Sequence, residues 1–242
     1  MKNLISISTG FLYKFTRDRN WMINAIKAFS PDGVEVSFAR PGPLLDFKIS
    51  DSNLKYLKSL KYVSIHAPWK DISYGDNQKS KDIINAIKRL YDLIGAKNVV
   101  FHQDKIEDPS FITNSGMVVS TENMGWNEKP NTIEESEKFL NENPNVKFVL
   151  DFAHALTISH DEIPLYLDKF RDKLMEIHIS YKDREPKDHW FLHKHDSPKM
   201  RELLNKLKGF DVPLVLECVA LDESEVSLIK KEIDYFKGIS FD

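Results

Sequence analysis

The stretch "DHWFLHKHDS" at 188–197 places His189, His193 and His195 within seven positions of a 242-residue chain that has eight histidines in all. Neighbouring imidazoles repel once protonated, and each buried one needs a partner. The same chemistry recurs along the chain: His66 in "SIHAP", His102 in "FHQD", Glu122 in "STENMG", Asp151 and His154 in "LDFAHA", His178 in "EIHIS" and Glu217 in "LVLECV". Imidazole and carboxylate are the side chains that ligate zinc and related divalent metals. Such a centre acidifies water and stabilises charge on a reacting oxygen.

The elements that carry these residues alternate between short β-branched runs and longer amphipathic stretches. Strands are expected at 4–9, 33–39, 62–68, 98–103, 117–124, 146–154, 174–180 and 213–220. Helices are expected at 19–29, 51–60, 79–96, 132–143, 161–172, 197–209 and 222–236. Asp51 or Ser52 would cap the second of these, Thr132 and Glu135 form a capping box, and Ser197 precedes a first-turn proline. Eight strands in βα alternation imply parallel pairing and a closed (β/α)8 TIM barrel as one domain over 1–242, in the α/β class. The stretch 103–117 has few helical signals, so the crossover between strands 4 and 5 is expected to be short. The rival, an open doubly wound sheet, would want a glycine-rich phosphate turn after the first strand, and none is present.

A barrel gathers its chemistry at the C-terminal ends of its strands. Strands three to eight end at or near His66, His102, Glu122, Asp151, His178 and Glu217, with His154 just beyond the sixth. Converging carboxylates with no metal or base between them would raise one another's pKa values. A metal site of His66, His102, Glu122, Asp151, His154, His178, His193, His195 and Glu217 accounts for the density. Any one of these taken alone reads more readily as a hydrogen-bonded structural residue. His160, near a helix start, is expected at the surface; His189, on a long loop, is expected to be solvated, and is the next candidate for the ligand position if His193 does not fill it. Cys218 is expected to point at the outer helices and pack there.

Composition narrows the class. The formal net charge is -3, with 29% charged and 41% hydrophobic residues, which is ordinary for a soluble globular chain and lacks a strongly basic nucleic-acid footprint. A single cysteine excludes an intrachain disulfide and fits a cytoplasmic setting. No run approaches a membrane span, and the N-terminal apolar stretch is too short for a signal peptide. Nothing implies a protein partner.

From about residue 60 onward, these motifs in this order resemble the xylose isomerase-like barrels, and within them most resemble the endonuclease IV family of zinc phosphodiesterases. The resemblance implies a metal-binding core of Glu122, Asp151, His178 and Glu217. It adds His66, His102 and His154 as further ligands, and places His193 and His195 at the family's D-x-H pair. It implies two to three zinc ions, the third held by His154, His193 and His195, with His193 standing where the family has aspartate. Glu122 and Glu217 would be the catalytic residues: Glu122 bridging two zincs, and either carboxylate orienting the attacking water. Trp69 would stack on a base or sugar and Lys70 would meet a phosphate. The basic stretch "YKDREPK" at 181–187 adds charge near the mouth, although such loops are usually just solvated.

The function this implies is metal-dependent hydrolysis of a phosphodiester, with damaged (abasic) DNA as the candidate substrate. The loops that enter the DNA minor groove in that family are short here. Two other readings stay open. One is a sugar or sugar-phosphate isomerase or epimerase with a single divalent metal, manganese and magnesium included, at Glu122, Asp151, His178 and Glu217. There Glu122 and Glu217 would move protons, and His66 and His102 would touch substrate. The other is a non-catalytic metal-binding or nucleic-acid-binding module.

Overall fold

The computed structural model describes residues 3–184 and 189–238. Eight parallel strands close in sequence order: β1 (Ile5–Ser8), β2 (Gly33–Ser37), β3 (Tyr62–His66), β4 (Asn98–His102), β5 (Val119–Glu122), β6 (Lys147–Asp151), β7 (Leu174–Ile179) and β8 (Leu214–Leu216), with β8 returning to β1. The expected barrel is what forms. Strand register levels the chemistry: His102 pairs with Glu122 and Asp151 with His178, so these side chains emerge at one height at one end of the barrel.

The strands end sooner than their sequence signals do. Side-chain alternation explains why the runs look longer: residues beyond the last ladder partner remain buried and apolar, as Ala67 is after His66. The sixth run is the instructive case. It was expected to continue to residue 154, but the strand stops at Asp151 and a helix, Phe152–Ile158, begins at once. Asp151 is its N-cap, its Oδ1 accepting from the His154 backbone N–H at 2.7 Å. The "DFAH" spacing is therefore a capping geometry that lifts His154 one helical turn above the strand end.

Other helices follow their caps. Helix Asp51–Ser59 is capped by Ser50 rather than Asp51 or Ser52. Helix Gln78–Ile94 is capped by Asn77 and ends at Gly95, whose φ of 70° is the left-handed conformation that glycine tolerates best. The Thr132–Glu135 capping box is present on Ile133–Glu142, and Ser197 caps Pro198–Lys206. The β4–β5 crossover is short, holding a 3-10 turn (Gln103–Lys105) and a four-residue helix (Ser110–Thr113). A short helix at Pro41–Leu45 was not expected, and the last helix divides into Glu223–Val226 and Leu228–Gly238. No helix among the described residues is long and apolar enough to cross a membrane.

The outward strand faces and the helices form the apolar core. The barrel interior is polar instead. Ser8 donates to Glu35 at 2.9 Å, Tyr62 donates across the barrel to Glu176 at 2.6 Å, and Asn98 donates to Ser120 and Glu176 at 2.8 and 3.0 Å. Glu35 and Glu176 are fully buried. A barrel filled with Val, Ile and Leu would need none of this; buried carboxylates require donors. At the closed end Gly33 lets β1, β2 and β3 approach, since a Cβ there would stand 2.5 Å from the Tyr62 carbonyl oxygen.

Candidate metal centre

Glu122 occupies the middle of the mouth, buried at the end of β5. Its Oε1 lies 2.9 Å from His102 Nε2 and 3.4 Å from His66 Nε2. Its Oε2 lies 3.3 Å from His178 Nδ1, and that same nitrogen is 3.3 Å from Glu217 Oε2. Among the donor sets these residues form, one is His66, His102 and Glu122 and another is Glu122, Asp151 and His178, while Asp151 and Glu217 make a further set with His189. Glu122 belongs to the first two.

His66, His154 and His178 each have a partner at one ring nitrogen and face the centre with the other. His66 Nδ1 donates to the Ala67 carbonyl at 3.1 Å and His154 Nδ1 to the Asn123 carbonyl at 2.9 Å. A carbonyl can only accept, so Nδ1 carries a proton and Nε2 is the nitrogen that can offer a lone pair once its own proton is shed. His178 is reversed, with Nε2 lying 3.4 Å from both Glu35 and Glu176 and Nδ1 turned to the mouth. Asn123 clamps the neighbouring strand end by accepting from the Asp151 N–H at 2.7 Å and donating to its carbonyl at 3.0 Å. Such outer partners are what metal-ligating histidines ordinarily have.

The electrostatics describe a cage that wants cations. Burial favours neutral carboxyls, yet the surrounding imidazoles, His102 foremost, hold Glu122 well below the usual carboxylate range. Asp151 is lowered against its burial chiefly by His154. Burial pushes Glu217 up to about 7, partly offset by His178. Burial would likewise depress His66, but Glu122 carries it up to about 9, and His178 is raised well above its ordinary value by Glu217 and Glu35. Both Glu122 oxygens and His178 Nδ1 are buried with no hydrogen bond. The imidazoles stand at ion-pair distance without the angles of a hydrogen bond. Unpartnered ligand atoms aimed at a common point, in a set of imidazole and carboxylate donors, fit divalent metal.

His193 and His195 do not join this centre. His193 Nδ1 is in a short hydrogen bond to the buried Glu232 carboxylate, which also accepts from the Leu192 and His193 backbone N–H groups at 2.7 and 3.1 Å. His195 stacks on Tyr181, ring centroids 3.7 Å apart, and on Trp190. Their expected roles as ligands to a third metal are thereby corrected: a buried carboxylate and an aromatic stack are their partners. The residue the loop delivers is His189, which was expected to be solvated unless His193 left the ligand position open. Tyr181 and Trp190 exchange backbone hydrogen bonds of 3.0 and 2.7 Å, and this bridge turns His189 inward. Its Nδ1 pairs with Ser180 Oγ at 2.9 Å, and its ring lies 5.9 Å from that of His154. Burial first and the Lys182 ammonium second depress it to about 3. The clustered histidines of 188–197 thus divide between three different partners.

A cavity of about 370 Å³ opens over the centre, lined among others by His66, Trp69, Lys70, His102, Glu122, Asp151, His154, Lys182, His189 and Glu217. Trp69 is parallel to His102 at 5.1 Å and edge-on to His66 at 4.8 Å, so part of its ring wedges the histidines in place. Lys70 lies exposed at the rim beside Arg17 and Arg40, and Arg40 is paired with Asp71. His160 lies in a separate surface cleft with Asp161 and Lys199. Cys218 is fully buried in the outer core, where burial pushes its thiol well up. Of the basic stretch 181–187, residues 185–187 lie outside the described residues.

Glu35, Glu176 and Lys182 were missed. The signal for Glu176 was available, because period-two alternation puts it on the same face of β7 as His178. Glu35 likewise interrupts an apolar run in β2.

A family model described as the xylose isomerase-like TIM barrel matches residues 61–239. Among solved structures, the chain is similar to a D-tagatose 3-epimerase-like protein (TM-score 0.68, 15% identity, covering 97% of this chain and 98% of that one). It is similar to the apo form of 3-keto-D-glucoside 4-epimerase from E. coli (0.66, 17%, 98% and 100%). It is similar also to endonuclease IV from Thermus thermophilus (0.67, 15%, 98% and 98%). No curated protein sequence matches. Identities this low fix a shared fold and do not choose between epimerase and endonuclease.

Proposed function

Because the chain belongs to the xylose isomerase-like TIM barrel family, we propose that it is a metal-dependent hydrolase of a phosphate ester, built on two divalent ions, zinc foremost, that share Glu122. The observation that carries this reading is the division of Glu122: Oε1 faces His66 and His102 while Oε2 faces His178. A single-metal centre needs no histidine pair on the far oxygen. His66, His102 and Glu122 would hold one ion; Asp151, His178 and Glu217 with Glu122 would hold the other. Bound there, such ions supply Lewis acidity and acidify water. Glu217, which lines the cavity, would orient the water and accept its proton. Trp69 shields the imidazoles from bulk water. Lys70 and Arg17 draw an anionic substrate to the mouth.

A cavity of about 370 Å³ suits a small phosphoester or one extruded nucleotide. Duplex DNA with an abasic site would have to present a flipped-out sugar phosphate. Elemental analysis of zinc-loaded protein, with turnover of a nitrophenyl phosphodiester and of abasic duplex, tests the proposal. Two equivalents and chelator-sensitive hydrolysis are expected.

One observation favours a second reading. Withdrawal of His193 and His195 from the mouth removes ligands that set this centre apart from a one-metal isomerase or epimerase. In that case Glu122 and Glu217, both 3.3 Å from His178 Nδ1, would flank a sugar carbon and pass a proton across it. A single metal equivalent with turnover of a ketose or its phosphate would decide for that reading.

A further inference from the structure

Lys182 enters the cavity from the loop after β7, half-buried, and its Nζ donates to His189 Nε2 at 3.5 Å. His189 Nδ1 is engaged by Ser180, so Nε2 is the nitrogen it has left for a ligand. His154, with Nδ1 on the Asn123 carbonyl, offers its own Nε2 from the neighbouring helix. These two imidazoles are where a third metal would be sought. A divalent ion about 2.1 Å from His189 Nε2 would face the lysine ammonium across roughly 6 Å or less, two like charges in a half-enclosed cavity. The carboxylates nearest to His189, Asp151 and Glu217, form a donor group with it, but in the two-metal reading both would be taken up by the deeper ion. Glu128 also lines the cavity near His154, its Oε2 accepting from the Gly125 N–H at 3.0 Å, so what sets this position apart is the fixed cation it already has.

We propose that Lys182, flanked by His154 and His189, stands in place of a third metal and binds an oxygen of the substrate's phosphate group. This rests on the phosphoester reading above, and narrows it to a two-metal centre whose third positive charge is supplied by the chain. An ammonium offers three donors, and Lys182 spends one on His189, leaving two for oxygens. A phosphate held there would lie in the same cavity that Lys70, Arg17, Asp151 and Glu217 line.

The experiment measures inorganic phosphate binding by calorimetry and zinc content by elemental analysis, on wild-type protein and on Lys182→Gln and Lys182→Arg. Wild type is expected to hold two zinc ions and to bind phosphate. Lys182→Gln is expected to keep both zincs and bind phosphate at least tenfold more weakly, and Lys182→Arg to recover most of the loss. Because the arginine variant must regain binding, a folding defect in the glutamine variant cannot pass for support. Phosphate binding unchanged in Lys182→Gln, absent in wild type, or accompanied by a third zinc in wild type overturns the proposal. If wild type holds a single metal while the lysine effect persists, the subsite stands and the two-metal reading falls.

Discussion

Nε2 of His102 lies 2.9 Å from Oε1 of Glu122, and the two residues are register partners on adjacent strands. The pairing is built by the sheet itself, so the contact survives only if both strand ends stay in place. Glu122→Gln keeps the shape of the side chain and removes the charge that two cations would share. Loss of more than one metal equivalent and of activity by at least a hundredfold is expected, read by elemental analysis and turnover. Full metal retention would show that Glu122 does not bridge.

The outer partners of His178 give a subtler test. Glu35 and Glu176 both approach Nε2 at 3.4 Å, and Glu176 is itself fixed by Tyr62 and Asn98. Neither carboxylate reaches the cavity, yet together they turn Nδ1 toward the mouth. Glu176→Gln should therefore weaken metal affinity by roughly 10–100-fold, the usual effect of losing an outer-shell partner, and Glu35→Gln should act in the same direction. Competition against a chelator of known affinity measures it. Unchanged affinity in both variants would mean that packing alone orients His178.

His193 illustrates a limit of sequence reading. Motif spacing put it among the ligands, while its actual partner, Glu232, lies 39 positions away on the last helix. His193→Ala should leave metal content unchanged and destabilise the fold by about 1–3 kcal/mol, because a buried carboxylate loses one of its donors. Glu232 keeps the Leu192 and His193 backbone N–H groups, which bounds the loss. Thermal unfolding and elemental analysis on one sample separate the outcomes: metal lost without destabilisation would return His193 to the centre.

The barrel and its six chemically marked strand ends were legible because both follow from short-range periodicity. Parallel strands ending on His or carboxylate need only alternation and position to be placed. What lay beyond reach depended on long-range partners. The inward turn of His189 requires the Tyr181–Trp190 bridge, and the outward turn of His193 requires Glu232. The polar barrel interior falls between these cases. Glu176 shares a face with His178 by simple alternation, but its donors Tyr62 and Asn98 come from two other strands.

The titration of the centre yields the last expectation. Without metal, His66 is raised to about 9 and His178 stands well above its ordinary value, against about 6.5 in an unfolded chain. Groups whose folded pKa is raised stabilise the fold fully below the unfolded value and lose that contribution as pH climbs through the folded one. Glu217, raised to about 7, acts in the same direction at lower pH. Metal-free protein should therefore lose stability between roughly pH 6.5 and 9, by several degrees in Tm for a chain of this size. Metal works oppositely. Its ligands must shed their protons, so affinity grows over the same interval and binding releases protons. The Tm increment given by zinc should widen from pH 6.5 to 9, and calorimetry in two buffers of different ionisation enthalpy should detect the released protons. A metal-free Tm that stays flat across that range would mean that His66 and His178 are neutral in the folded protein, and that the carboxylates around them find their positive charge elsewhere.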